Sequence, residues 1–106
     1  MERVIMKMYI LIKDYVPLGF ALVAASHASL AAYFKFKESP DVEQWISGPF
    51  YKTICKVNDK EFQKAKAFEN HVVITESALE NEEVAIAFKP RENWPKPFKY
   101  YRLYKE

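Results

Sequence analysis

The sequence predicts an α/β fold, with a mixed four-stranded sheet sandwiched by helices in the order β-α-α-β-α-β-β and a short C-terminal element. Two observations predict it. A short apolar run rich in β-branched residues, 4–12, precedes a long apolar segment of helix-forming composition, 19–36. Three further short apolar segments then follow, each bounded by turn or helix-cap signals, at 50–57, 71–75 and 83–88.

The first strand and the long helix form the centre of the predicted fold. Residues 4–12 are apolar except for Lys7, which predicts a central strand buried on both faces. Residues 19–36 are apolar all round the helix and small at many positions, so we predict that this helix is buried against the sheet. A membrane span is the competing interpretation. We do not favour it, because the run is shorter than the roughly 20 residues a span needs and polar side chains interrupt it.

Capping signals place the two shorter helices. Ser39 precedes Pro40 and predicts the start of a helix that ends near residue 46. Asn58 and Glu61 have the spacing of a capping box and predict a third helix. A short acidic connection, 76–82, predicts that the strands on either side of it are adjacent and antiparallel.

Composition limits the classes of function. The 106 residues fit one domain, 1–106, and two glycines argue against a glycine-rich nucleotide loop. The net charge of +2 is only mildly basic. Cys55 is the only cysteine and no signal-like segment is present, so we predict a cytoplasmic protein with Cys55 as a core residue. The two histidines are far apart, so we predict no metal and no cofactor.

Strand ends and helix starts are where sites form in α/β folds. This rule selects Lys13 and Asp14 after the first strand, and Glu76 and Ser77 after the third. Glu76 has the chemistry of a general base or of a group that orients water, and a solvated loop carboxylate is the alternative. For Lys13 and Asp14, the alternative to a role in a site is a charge pair on the protein surface.

Ser26 and His27 suggest a nucleophile with its base. Adjacent residues on a helix point about 100° apart, so these two side chains do not face each other. We therefore expect a buried, hydrogen-bonded His27 rather than a catalytic dyad.

The tail from Trp94 onward mixes aromatic and basic residues. One interpretation is a nucleic-acid contact in which Trp94 stacks on a base and cations bind phosphates. Those cations would be Lys96, Lys99, Arg102 and Lys105. The interpretation we favour is that the apolar residues of the tail pack on the domain. They are Trp94, Phe98, Tyr101 and Leu103.

Several segments carry a resemblance to a known family. The first strand ends YILIKD, residues 19–28 read GFALVAASHA, a short helix carries Trp45, a later strand reads FYKTICKV, and RLYK stands near the end. In this order and spacing the chain resembles the peptidyl-tRNA hydrolases of the archaeal and eukaryotic type, the second family of that name. The resemblance spans most of the chain and implies that family's fold. It also implies a cleft lined by Asp14, Gly19, Phe20, Ser26, His27 and Ser77.

The departures from the family pattern fall on its chemistry. Phe20 stands where the family has a lysine, and Ala24 where it has a glutamine. The resemblance aligns Glu76 with the family's aspartate and Glu80 with its threonine. A phenyl ring cannot supply a positive charge or a hydrogen bond to a developing oxyanion, and losing such a group lowers rates by orders of magnitude.

Three hypotheses of function follow. The first is a divergent peptidyl-tRNA hydrolase II-like protein that lacks efficient hydrolysis and binds an unidentified ligand, such as tRNA or a nucleotide, in the retained cleft. The second is an active hydrolase in which Glu76 orients water and Lys13 supplies the cation. The third is a non-catalytic interaction domain that forms a homodimer through the apolar helix or the aromatic tail.

Overall fold

A computed structural model describes residues 5–105 of the chain. It has an α/β fold, which confirms the predicted class, and the predicted order of the seven main elements is also correct. The helices are α1 (Leu18–Phe36), α2 (Pro40–Ile46) and α3 (Asp59–Ala65). The strands are β1 (Lys7–Lys13), β2 (Tyr51–Val57), β3 (His71–Glu76), β4 (Glu82–Phe88) and β5 (Arg102–Leu103), and Ser77–Leu79 and Lys96–Tyr100 form 3-10 turns. Val4, where the first strand was predicted to begin, lies outside the described residues.

The sheet is mixed, in the order β3-β4-β1-β2-β5. β1 and β2 are parallel, whereas β1–β4, β3–β4 and β2–β5 are antiparallel, so the predicted antiparallel neighbours are confirmed. The predicted count of four strands is wrong, because the tail adds β5 to the edge of β2. A strand of two residues is too short to leave an alternation of polar and apolar residues in the sequence.

β1 lies at the centre of the sheet and contributes to two cores. Its Met8, Ile10 and Ile12 pack with α1 on one face, while Tyr9 and Leu11 pack with α3 and the tail on the other. This alternation follows from the two-residue period of a strand. The prediction of helices on both faces, with a fully buried central strand between them, is therefore confirmed.

The fully buried residues of α1 are all alanines. Its buried residues recur at three- and four-residue steps and so form one stripe: Ala21, Ala24, Ala28 and Ala32. The prediction that α1 is buried is correct for this stripe and wrong for the opposite face, where five large apolar side chains are 38–64% exposed. They are Leu18, Leu22, Val23, Leu30 and Phe34. A single sheet covers one side of a helix, and residues 5–105 place no second layer over the other side.

α1 is long and apolar enough to cross a membrane, but many core helices of soluble proteins are equally long and apolar. The rest of the described chain is a compact α/β fold, which is consistent with a soluble protein.

Local capping fixes the ends of the two short helices as predicted. The Ser39 hydroxyl accepts a hydrogen bond from the Asp41 N–H at 3.3 Å. Asn58 and Glu61 form a reciprocal capping box, in which each side chain accepts from the other residue's N–H at 2.8–2.9 Å. Cys55 is buried in the core as predicted, and burial raises the pKa of its thiol to about 11, so it stays neutral and unreactive.

Candidate functional site

Gly19 and Phe20 lie in the first turn of α1. The Phe20 ring is half-buried and packs against the same core as Ile74 and Leu79. The position that the resemblance aligns with a lysine therefore contributes an apolar contact to the fold. Gly19 is exposed, with nothing within 4 Å of the place a Cβ would occupy.

Glu76 ends β3, and its carboxylate is used locally. It accepts a hydrogen bond at 3.0 Å from the N–H of Ala78, which caps the turn Ser77–Leu79. Glu76 stands directly opposite Glu82 in the sheet register. The Tyr15 hydroxyl donates to Glu82 at 2.7 Å, and that hydrogen bond is the main cause that raises the pKa of Tyr15 to about 12.

Asp14, Ser77 and Glu80 are exposed at this same end of the sheet. Glu76 and Glu82 lie there too, so this end of the sheet carries four carboxylates close to the start of α1 and the end of β3. Such a surface repels phosphates rather than attracting them.

Lys13 lies on the other face of the sheet. Its side chain follows Tyr9 and Leu11 in the two-residue period of β1, so it projects toward α3. It is 7% exposed, and its ammonium group lies 3.0 Å from the Asp59 carboxylate and 4.7 Å from the centre of the Phe62 ring. Phe20, in contrast, packs on the α1 side. The Lys13 ammonium also lies 5.9 Å from the centre of the Tyr15 ring. In the structure Lys13 is therefore paired with Asp59, on the face of the sheet opposite the Phe20 contact.

Replacing Lys13 by methionine should raise the pKa of Asp59 toward its ordinary value. The hydrogen bond from Lys13 is the largest cause that lowers this pKa in the folded protein. A carboxyl group with a lowered folded pKa stabilises the fold above its unfolded pKa, and that contribution is lost as the pH falls through the folded pKa. Titration of the Asp59 carboxyl carbon by NMR measures the change. Lys60→Met removes a neighbouring exposed cation and should leave the pKa of Asp59 unchanged. Equal shifts of this pKa in both variants would contradict the ion pair between Lys13 and Asp59.

Ser26 and His27 are both exposed on the outward face of α1. The expectation of a buried His27 is wrong, because the sheet contacts the alanine stripe on the opposite side of the helix. Within residues 5–105, no group of three or more metal-ligating side chains lies close enough to hold an ion.

A cleft that sequence reasoning missed lies between α1 and β2. Its volume is about 220 Å³, and most of its wall is apolar. The lining residues are Ile12, Ala21, Leu22, Ala25, Ile54 and Tyr104. The N–H of Tyr104 donates to the carbonyl of Ile54 at 2.8 Å, so the chain after β5 forms one side of the cleft.

Two cations lie next to this cleft. Lys56 and Arg102 are direct partners in the β2–β5 register, so their side chains share one face of the sheet with Ile54. The Lys56 ammonium lies 4.8 Å from the centre of the Tyr104 ring. A shallow depression of about 460 Å³ is lined by these cations together with Leu103 and Lys105. In the described part of the chain, none of the three cations forms an ion pair.

The tail packs mostly as predicted. The Trp94 ring lies 4.8–4.9 Å from those of Tyr9 and Phe98, and its indole N–H donates to the Arg91 carbonyl at 3.0 Å. Tyr101 also packs against this core. Leu103 is an exception, because it is exposed on the short edge strand. Trp94 is therefore half-buried in an aromatic cluster, as the interpretation we favour predicts.

A second cavity, of about 250 Å³, lies at the other end of the sheet, beside the tail. Arg91 and Lys89 line it, but so do Asp41 and Glu69, and Lys89 lies 3.6 Å from Asp41. Its charges are mixed and partly paired, so it selects no class of ligand.

Neither the protein-family models nor the curated proteins gave a match to this chain. The protein is an α/β domain with a five-stranded mixed sheet and an apolar cleft beside α1, and Lys56 and Arg102 lie on the same face of the sheet as Ile54 of that cleft. Part of this site can be predicted from the sequence, since the alternation of FYKTICKV puts Lys52, Ile54 and Lys56 on one face. The pairing of Lys56 with Arg102 cannot, because it joins segments 46 positions apart.

Proposed function

We propose that this chain is a divergent peptidyl-tRNA hydrolase II-like protein that lacks efficient hydrolase activity and binds an anionic ligand in the cleft between α1 and β2. The observation that carries the proposal is the pairing of Lys56 with Arg102 beside an apolar cleft. Like charges directly opposite each other destabilise a sheet. An anion bound between them would offset that repulsion, and the apolar wall would hold the remainder of the ligand.

The dimensions favour a small ligand group. A volume of about 220 Å³ is below the range typical of drug-sized ligands but accommodates one flat ring or a short apolar chain. Lys56 and Arg102 suit a phosphate, with the guanidinium able to bind it through two hydrogen bonds. A terminal nucleotide of tRNA combines these two features, with its base against Ile54 and Tyr104 and its phosphate at the cations.

The arrangement around Glu76 supports the loss of hydrolysis. Phe20 packs into the core, the Glu76 carboxylate caps its own turn, and Lys13 is paired with Asp59 on the opposite face. An active site built from Glu76 and Lys13 would require the lysine to leave its ion pair with Asp59. No residue of the proposed cleft requires a metal or a cofactor for ligand binding.

Arg102→Gln should weaken the binding of adenosine monophosphate by about tenfold or more, since a hydrogen bond to a charged group contributes about 1.5–3 kcal/mol. NMR titration of the folded chain measures the affinity, and we expect the largest shifts at Ile54 and Tyr104. Raising the salt concentration should weaken binding to the unsubstituted protein more than to the variant. Lys96→Gln removes another exposed cation of the tail and is the matched control.

Two outcomes would overturn the proposal. One is an equal loss of affinity in Arg102→Gln and Lys96→Gln, which would mean that any tail cation attracts the nucleotide. The other is turnover of a model peptidyl-tRNA that disappears in Glu76→Ala, which would restore the hydrolase hypothesis.

A further inference from the structure

The outward face of α1 is an exposed ridge with internal symmetry. Side chains four residues apart line up along one side of a helix and form a ridge that can pack against another helix. On α1 the outward ridge consists of Leu18, Leu22, Ser26, Leu30 and Phe34. Its four large members are 38–64% exposed, with Leu18 the least and Leu22 the most exposed.

The large apolar side chains of the ridge are spaced symmetrically about Ser26. Leu22 and Leu30 lie four residues to either side of Ser26, and Leu18 and Phe34 lie eight residues to either side. If two copies of α1 cross in antiparallel fashion at Ser26, Leu22 meets the partner's Leu30, and Leu18 meets the partner's Phe34. An interface formed by one patch meeting itself about a two-fold axis is the commonest arrangement among homo-oligomers.

We propose that two copies of this chain associate through the outward ridge of α1, antiparallel, with the two-fold axis at Ser26. Packing of such four-residue ridges gives an angle of about 50° between the helix axes, and the helices approach most closely where the axes cross. The smallest side chain of the ridge, Ser26, occupies that point. On one side of the ridge, the neighbouring row has the small residues Ala25 and Ser29, which leave a shallow groove; on the other side stand the exposed Val23 and His27.

Charge and area both fit a second copy. From Leu18 to Phe34 the helix carries no Asp, Glu, Lys or Arg, so the two faces meet without like-charge contacts. The exposed apolar side chains amount to on the order of 500 Å² per copy, the upper end of what monomers leave uncovered. Two copies would bury about 1,000 Å², the least that a specific interface requires, so we expect a dimer of modest affinity.

A lipid surface fits this face less well. Helices that lie in a membrane interface carry many Lys and Arg residues on the face opposite their apolar one. The opposite face of α1 is the alanine stripe, which is buried on the sheet, and the only basic residue of α1 other than His27 is Lys35.

The symmetry permits a charge-exchange experiment. Sedimentation equilibrium of the full chain, over about 1–100 µM, should show a reversible monomer–dimer equilibrium. Leu22→Glu alone and Leu30→Lys alone should each weaken self-association at least tenfold, since each places a charge in both symmetric contacts. An equimolar mixture of the two variants should associate again, because Glu at 22 then faces Lys at 30 in one contact and the other contact keeps both leucines. Tyr100→Glu, a change at an exposed aromatic residue away from α1, is the matched control.

Each contrary result is decisive. A chain that remains monomeric over this range, or single variants that dimerise as the unsubstituted chain does, would overturn the proposal. Failure of the mixture to associate would overturn the antiparallel register. Binding to phosphatidylcholine–phosphatidylglycerol vesicles that is lost in Leu30→Lys, without dimers in solution, would assign the face to lipid. Both leucines are exposed, so the variants should keep their circular dichroism, and Arg102→Gln should dimerise normally whatever its nucleotide affinity.

Discussion

Replacing Phe98 by alanine should lower the free energy of unfolding by about 3–5 kcal/mol, the range for deleting a buried aromatic ring. Phe98 is 2% exposed, and its ring centre lies 4.9–5.4 Å from those of five other aromatic residues. These are Tyr9, Phe68, Phe88, Trp94 and Tyr101. The substitution would remove the centre of this cluster and leave a cavity between the sheet and the tail. Urea unfolding followed by circular dichroism measures the loss.

Tyr100→Ala is the control for this prediction. Tyr100 lies two residues away in the same turn but is 72% exposed, so its removal should change the free energy of unfolding by no more than about 0.5 kcal/mol. Similar effects in the two variants would mean that the tail is not part of the core. The expected difference instead makes the tail a structural element, with Lys96 and Lys99 as solvated cations on its surface.

Local signals in the sequence were sufficient for most of the fold. The apolar run of β1 predicted a central strand, and the caps at Ser39 and Asn58 predicted two helix starts within one or two residues. These features depend on residues within a few positions of one another, which is why a single sequence reveals them.

Features that depend on distant residues were missed. β5 and the Lys56–Arg102 pair arise only when the tail meets β2, and neither segment alone predicts the other. The exposure of one face of α1 depends on which elements cover it, and an apolar helix has the same composition whether one side or all sides are covered.

The position of Lys13 was within reach of sequence reasoning. The two-residue period of β1 places Lys13 on the side of Tyr9 and Leu11, away from the face that receives α1. Because the start of α1 and Glu76 lie toward that other face, the strand period by itself argues against a catalytic partnership between Lys13 and Glu76.

Replacing Ala28 by leucine should destabilise the fold by about 1–3 kcal/mol, the range for overpacking a well-packed core. Ala28 lies within the alanine stripe, is fully buried, and faces the sheet at close range. Extra carbons that fitted would stabilise the protein by about 0.8 kcal/mol each. Here they would have to displace α1 from the sheet, and we expect the loss of contacts along the whole stripe to outweigh that gain.

Ala31→Leu provides a matched control, because it makes the same chemical change one turn away, where the side chain is only half-buried. It should alter the free energy of unfolding by no more than about 0.5 kcal/mol. Urea unfolding at about 1 µM, below the concentration at which we expect dimers, keeps the comparison to the monomer. If Ala28→Leu were as well tolerated as Ala31→Leu, close packing of α1 on the sheet would not explain why the stripe consists of alanines. If only Ala28→Leu is destabilising, small residues fix the inner face of α1, and its outer face is left free to carry the large side chains through which we propose that it binds a second copy.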